Sequence, residues 1–422
     1  MMMNSSTDNN FSISTTTDSA IPCNWTLGNE TLANETLVGQ VHLAAHTEPG
    51  ISKEHLFVHK FWDQFQDQIR AVPDFVYFGF GIYITIICVV GIIGNGTVIA
   101  VFIRSASLRT PSNAFIINLA VSDLAFAAVN GFPLMTIACF KKRWPWGATA
   151  CQWYAYISGI TGLTSINTLA FISLDRFLVI AKPFHMMRVA SNRRSIQQLV
   201  FIWSWALLWS TPPMLGWGRY IYEGLQVSCT FDYLSRTTSN IAFNYCLFGL
   251  GFLTPVIIIV ISYAGIVISV SKQSRNLDQA CNRMGAQRSA KGTGLREAKV
   301  ELQLSKVVAA TVCMFIFSWL PYALIAQLAI NGHQRYVTPY TTELPVMFAK
   351  ASAMWNPIIY ALSHPRYKME LRRILPVWAP FRRQRGSLPT HHSSRFSRIN
   401  LEIVDNRSTK IHTVSDLQMK TF

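Results

Sequence analysis

Charge is what this sequence has least of. Only 14% of its 422 residues are Asp, Glu, Lys or Arg, against about 25% in an ordinary soluble domain. That shortage excludes an array of water-soluble domains and a disordered polyelectrolyte. Eight cysteines in a chain of this length are too sparse for a disulfide scaffold. With 23 glycines and 18 prolines the chain is neither collagen-like nor low-complexity. Acids are scarcer than bases, 21 against 37, for a formal charge of +16. A nucleic-acid binder could carry that excess, but not packed between apolar runs of 20 or more residues, so no nucleic-acid partner is expected. What is abundant is apolar surface, at 50% of residues. The composition is that of a membrane protein.

Seven segments are long and apolar enough to cross a bilayer, which takes roughly 20 helical residues: 75–102, 113–138, 149–181, 197–214, 240–271, 300–330 and 342–362. The expected fold is all-α, a seven-transmembrane helix bundle. Residues 1–74 form a glycosylated arm, 75–375 the bundle with a short amphipathic helix after the seventh span, and 376–422 a flexible tail. The arm and the second, fourth and sixth connections hold nine Lys or Arg, including the run Lys141-Lys142-Arg143, whereas the other connections and the tail hold 25. The positive-inside rule puts the N-terminus outside and the tail in the cytosol of a multi-pass plasma-membrane protein. Acceptor triplets at Asn4, Asn10, Asn24, Asn29 and Asn34 agree with an exposed arm. Residues 1–15 do not read as a signal peptide, which leaves the first span as the insertion signal. Outside the cell a disulfide is chemically permitted between Cys151, opening the third span, and Cys229, in the second outer connection.

Ionisable groups at membrane depth mark function. Lys350 lies well inside the seventh span, about 18 Å of helix from its inner end, too far for a lysine to snorkel. A lysine deprotonated by its surroundings attacks carbonyls to form a Schiff base. Once protonated, that linkage needs an anion. Candidates are Asp123, Glu343 and Glu223, with Glu223 preferred because Cys229, six residues on, can tether it over the bundle; the outer half of the third span, Cys151 to Gly162, holds no acid. Trp319, Pro321 and Tyr322 at a kink of the sixth span, with space beside Gly159 and Gly162, suit a long flat apolar ligand. Deeper, Asn95, Asp123, Asn356 and Tyr360 are expected to form a polar network at the helix break of Pro357. At the inner face, Arg176, beside Asp175, is expected to pair with Glu301 and to act as a switch.

These residues resemble a known pattern. Gly94-Asn95, Leu119-Ala120-Val121-Ser122-Asp123, Asp175-Arg176-Phe177, Trp203, Pro255 with Tyr263, Phe317-Ser318-Trp319-Leu320-Pro321-Tyr322 and Asn356-Pro357-Ile358-Ile359-Tyr360 are similar to the marks of rhodopsin-class G-protein-coupled receptors. Phe348-Ala349-Lys350-Ala351-Ser352 resembles the invertebrate, rhabdomeric, arthropod-like opsins in particular. The resemblance implies that Lys350 carries retinal (11-cis-retinal or a hydroxylated or 3,4-didehydro variant), photoisomerised from 11-cis to all-trans. It implies Glu223 as counterion, with Tyr154 standing where vertebrate visual pigments have their counterion glutamate. It further implies Asp123, Asp175, Arg176, Tyr263, Glu301, Asn356, Pro357 and Tyr360 as activation switches. A heterotrimeric Gq-type protein, arrestin and a receptor kinase are the implied partners, in plasma or rhabdomeric membrane. The departures are Phe177 where the family has tyrosine, Arg366 where the branch has lysine, and Asn130 where many insect ultraviolet pigments have lysine.

The connection 272–299 carries seven basic and two acidic residues, expected to be helical at both ends. Tyr367, Leu371, Ile374 and Leu375 line one side of the amphipathic helix. No cysteine follows Cys313, so palmitoyl anchoring is excluded, and the tail offers hydroxyls such as Ser387 and Thr413 for phosphorylation. The chain is read as a light-activated receptor and not an enzyme. A retinal photoisomerase and a thermal or chemical retinal-bound sensor stay open, while a retinal-driven pump is weaker because only Asp123 is a central acid.

Overall fold

The computed structural model describes residues 60–374 except 185, 187–190 and 284–290, with the backbone alone at 60, 273–274, 276–283 and 291–299. The acceptors Asn4, Asn10, Asn24, Asn29 and Asn34, Leu375 and the tail hydroxyls lie outside the described residues. Seven helical spans form the bundle, and a short helix, Pro365–Ile374, follows the seventh. Spans one, two, three, five and six are long and apolar enough on their own to cross a membrane. The fourth, Asn192–Ser210, opens on Arg193 and Arg194. The seventh is split into Pro339–Lys350 and Ser352–Ser363.

The first span, Asp74–Arg104, shows how such a helix chooses its inner face. It is apolar all round, so hydrophobicity cannot select one. Its buried residues Tyr77, Gly81, Ile84, Cys88, Gly91, Asn95, Val98 and Phe102 alternate by four and three, the seam of a helix packed along another. Small and polar residues fill that seam, as expected where lipid removes the hydrophobic incentive. Phe75, Ile82, Ile86 and Ile93 are left exposed, as are Val260, Ile261, Val267 and Ile268 of the fifth span. Acyl chains are the medium in which such faces are stable.

Breaks in the spans have local causes. The second span runs Ala114–Asn130, turns at Gly131–Pro133, and resumes as Leu134–Phe140. In the fifth, Thr238–Cys246 widens into a π-helix at Leu247–Leu253 before Thr254–Arg283. Pro255 has no N–H to give Leu250, and that carbonyl accepts from Trp205 Nε1 at 3.4 Å. In the seventh, Pro357 frees the carbonyl of Ala353, which accepts from Asn95 Nδ2 at 2.8 Å. A Cβ on Gly94 would come within 2.7 Å of the Pro357 ring, so only glycine lets the first span approach that proline.

Between spans four and five, Tyr220–Glu223 (β1) and Ser228–Phe231 (β2) pair antiparallel, Tyr222 opposite Cys229. Sequence patterning missed this hairpin. The Cys151–Cys229 disulfide is formed, and it anchors β2 to the start of the third span, Gly147–Ala181. Above β1, the wholly buried Trp62 donates from Nε1 to the Tyr222 carbonyl at 3.1 Å. At the other end of the bundle, Tyr367 and Leu371 of the last helix pack into the core cluster that contains Val101 and Phe102. The apolar side of that helix faces the first span, and Glu370 accepts from Ser105 Oγ at 3.2 Å.

Candidate functional site

A cavity lies under the hairpin, bounded by spans two to seven. Lys350, Glu223, Gly159, Gly162, Trp319 and Tyr322 all line it. Each sits where a local feature puts it. Lys350 is the last residue before the break in the seventh span. Glu223 ends β1, beside the turn at Gly224, whose φ of +52° suits a residue without a side chain. Gly162 leaves room for Trp319, since a Cβ there would touch the indole at 3.4 Å. Gly159 does the same for Ser210 at 3.0 Å.

Lys350 is 7% exposed. Its Nζ donates to Tyr154 Oη at 2.8 Å and Asn130 Oδ1 at 3.0 Å, and stands 5.0 Å from the centre of the Tyr154 ring. Tyr154 is itself held by the edge of Trp144, with ring centres 5.0 Å apart. Glu223 Oε1 accepts from Tyr233 Oη at 2.9 Å. Burial raises the Glu223 carboxyl above the ordinary carboxylate range and negative charge on Glu343 would add to the rise, while Tyr233 and Lys350 oppose it. Asn130 was noted in the sequence only for the lysine it replaces. Its part in holding the amine depends on spans two, three and seven meeting, which periodicity does not report.

The deeper polar set begins one turn below the cavity wall. Trp319 Nε1 donates to Ser352 Oγ at 3.1 Å, two residues past Lys350. Below it, Asp123 accepts from Ser165 Oγ and from Asn356 Nδ2, both at 2.7 Å. Asn95 bonds backbone carbonyls instead of Asp123. Tyr360 packs against His364 and Tyr367, ring centres 6.4 Å away in both cases. The structure therefore brings Asp123, Asn356 and the unforeseen Ser165 together, and puts Asn95 and Tyr360 on either side of them.

At the far end, Arg176 donates to Asp175 at 2.5 Å and to Glu301 at 3.2 Å, tying the third span to the sixth. Tyr263 Oη donates to the Ser305 carbonyl at 3.2 Å. Phe177 occupies the space over Gly265, where a Cβ would fall within 2.3 Å of the ring.

The residues fit a retinal-like group. An amine and a buried acid open into one cavity whose other walls are mostly aromatic and aliphatic, and two glycines widen it. Comparison with known proteins agrees. Residues 94–360 match the family of the 7 transmembrane receptor (rhodopsin family). The chain is 44% identical to "Rhodopsin" of Enteroctopus dofleini over 319 residues, 76% of this chain and 69% of that one. It is 43% identical to "Rhodopsin, GQ-coupled" of Mizuhopecten yessoensis, over 76% of this chain and 63% of the relative. The crystal structure of squid rhodopsin superposes with a TM-score of 0.72 at 43% identity, covering 79% of this chain and 92% of that chain.

Proposed function

The chain belongs to the rhodopsin family of seven-transmembrane receptors, and from that premise we propose that it is a light-activated receptor that holds retinal at Lys350. It is a signalling receptor, not an enzyme. The observation that carries the assignment is the amine of Lys350, buried at a helix break and opening into an apolar cavity. Retinal, condensed through its aldehyde with that amine and with loss of water, supplies light absorption and the 11-cis to all-trans isomerisation.

The chain's own residues do the rest. Asn130 and Tyr154 orient Nζ by accepting its protons. Glu223 faces the same cavity and is the counterion, its free charge shared with the Tyr233 hydroxyl. The hairpin, the disulfide and Trp62 keep water off these charges, which strengthens their attraction. Trp319 contacts both the cavity and Ser352 and relays displacement toward Asp123 and Asn356. At the end of this line the Arg176–Glu301 pair releases, and the sixth span swings about Pro321 to open a cleft for a G protein. The Gq class is favoured by the likeness to a relative named as Gq-coupled. The isomer is 11-cis-retinal or a hydroxylated or didehydro variant. The cleft lies in the cytosol, with the N-terminus outside, and arrestin and a receptor kinase act on the same face.

Borohydride reduction of the pigment should leave the retinyl group on the peptide that contains Lys350. Lys350→Ala should abolish the pigment band while the protein still reaches the cell surface. A normal band in the alanine variant would remove the assignment.

A further inference from the structure

Glu343 is a buried acid to which the proposed mechanism gives no part. It precedes Lys350 by seven residues on the same helix, two turns and about 10 Å along the axis. It is 0% exposed. Its Oε2 accepts from the Leu225 backbone N–H at 3.3 Å, and its Oε1 has no hydrogen-bond partner among the described residues. The turn that touches it is the one that follows Glu223. A Cβ on Gly224 would come within 2.8 Å of Oε2 and 2.9 Å of Thr342 Oγ1, so the turn sits directly on the carboxyl.

Titratable groups approach Glu343 from several elements. Tyr77 comes from the first span, Cys139 from the second, and Tyr154 from the third. Glu223 comes from the hairpin, and Lys350 from its own helix. No ion pair to Glu343 occurs among the described residues, and Lys350 spends its hydrogen bonds on Asn130 and Tyr154. A wholly buried carboxylate with no ion-pair partner is far costlier ionised than as the neutral acid. A second anion beside Glu223 would add repulsion.

We infer that Glu343 is a neutral carboxylic acid that positions the Glu223 turn against the helix of Lys350, leaving Glu223 as the single negative charge of the retinal site. The inference rests on the retinal reading of Lys350 and Glu223. Leu225 is wholly buried, and removing the carboxyl takes away the acceptor that its N–H uses. Glutamine keeps that acceptor and copies a neutral acid, whereas alanine frees the turn and with it Glu223.

Two measurements test this. In the retinal-free protein, the infrared carbonyl band of a protonated carboxylic acid should be present and should diminish in Glu343→Gln. In the pigment, Glu343→Gln should leave the absorption maximum and the titration of the retinal-bearing nitrogen unchanged. Glu343→Ala should favour the short-wavelength, deprotonated form, with a change on the order of tenfold in the acid constant. If Glu343→Gln instead shifts the titration as much as Glu223→Gln does, Glu343 is an anion and the inference is overturned. An unchanged titration in a folded Glu343→Ala overturns the positioning role. Should the alanine variant not fold, the infrared band and the glutamine titration still decide whether Glu343 is neutral. Failure of the unmodified protein to form any pigment strikes the retinal reading itself, which is a separate result.

Discussion

The two ends of the bundle handle charge in opposite ways. At the hairpin end, Lys350, Glu223 and Glu343 are 7%, 2% and 0% exposed, roofed by β1, β2 and Trp62 and fastened by the Cys151–Cys229 disulfide. At the other end the side chains of Arg176 and Glu301 are 12% and 33% exposed, and one 3.2 Å contact joins their two spans. A buried charge cannot trade its partner for water, so any change at Lys350 must be taken up by protein. A pair that keeps some exposure has water within reach and can release into it at lower cost than a fully buried one. Input at the locked end and output at the loose end follow from that difference.

Breaking the lock should have the largest effect. The disulfide closes a loop of 78 residues, and a loop of that length contributes about 4 kcal/mol. Cys229→Ser should therefore lose most folded protein in a thermal or detergent-stability assay, and no single change at the Arg176 end should match it. Next comes the polar centre. Asn356→Ala takes one of the partners from buried Asp123 and should cost about 2 kcal/mol, read as a lower melting temperature; Asp123→Asn in the same background should recover part of it.

How much of this was legible beforehand divides along physical lines. The seven spans were, because membrane helices carry a composition signal that needs no partner. So were Lys350, Asp123 and Arg176, since an ionisable residue in an apolar run is conspicuous wherever it lands. The breaks at Gly131–Pro133 and Ala351 were not, because helix periodicity runs through them unaltered. Nor was the hairpin, whose strands are four residues each and take their stability from the disulfide and from Trp62. The partners of Lys350 required knowing that Asn130 and Tyr154 converge from two other spans. Asn95 was expected in a side-chain network, yet its use is to satisfy the carbonyl that Pro357 frees, a link visible only once the two helices touch.

The electrostatic side of the lock gives a smaller, spectroscopic effect. Glu223→Gln leaves the retinal-bearing cation without its charge partner, so its acid constant should rise tenfold or more, about 1.4 kcal/mol per decade. The main band then moves to short wavelength near neutral pH. Asp123→Asn, outside the cavity lining, should not reproduce it. The smallest effect on stability belongs to the loose end. Glu301→Gln should change the unfolding free energy by no more than about 1 kcal/mol, yet raise G-protein activation in darkness. A large loss of stability with no gain in dark activity would make the pair a structural brace and erase the contrast between the two ends.

The account turns on light at Lys350 being converted into an opening at Arg176. The direct measurement is nucleotide exchange on purified Gq by the protein reconstituted with 11-cis-retinal, in darkness and after illumination, with Gi and Gs alongside. The prediction is light-dependent exchange on Gq, lost in Arg176→Ala although that variant keeps its absorption band. Efficient photoisomerisation with no light-dependent exchange on any of the three would contradict the account and make the protein a retinal photoisomerase.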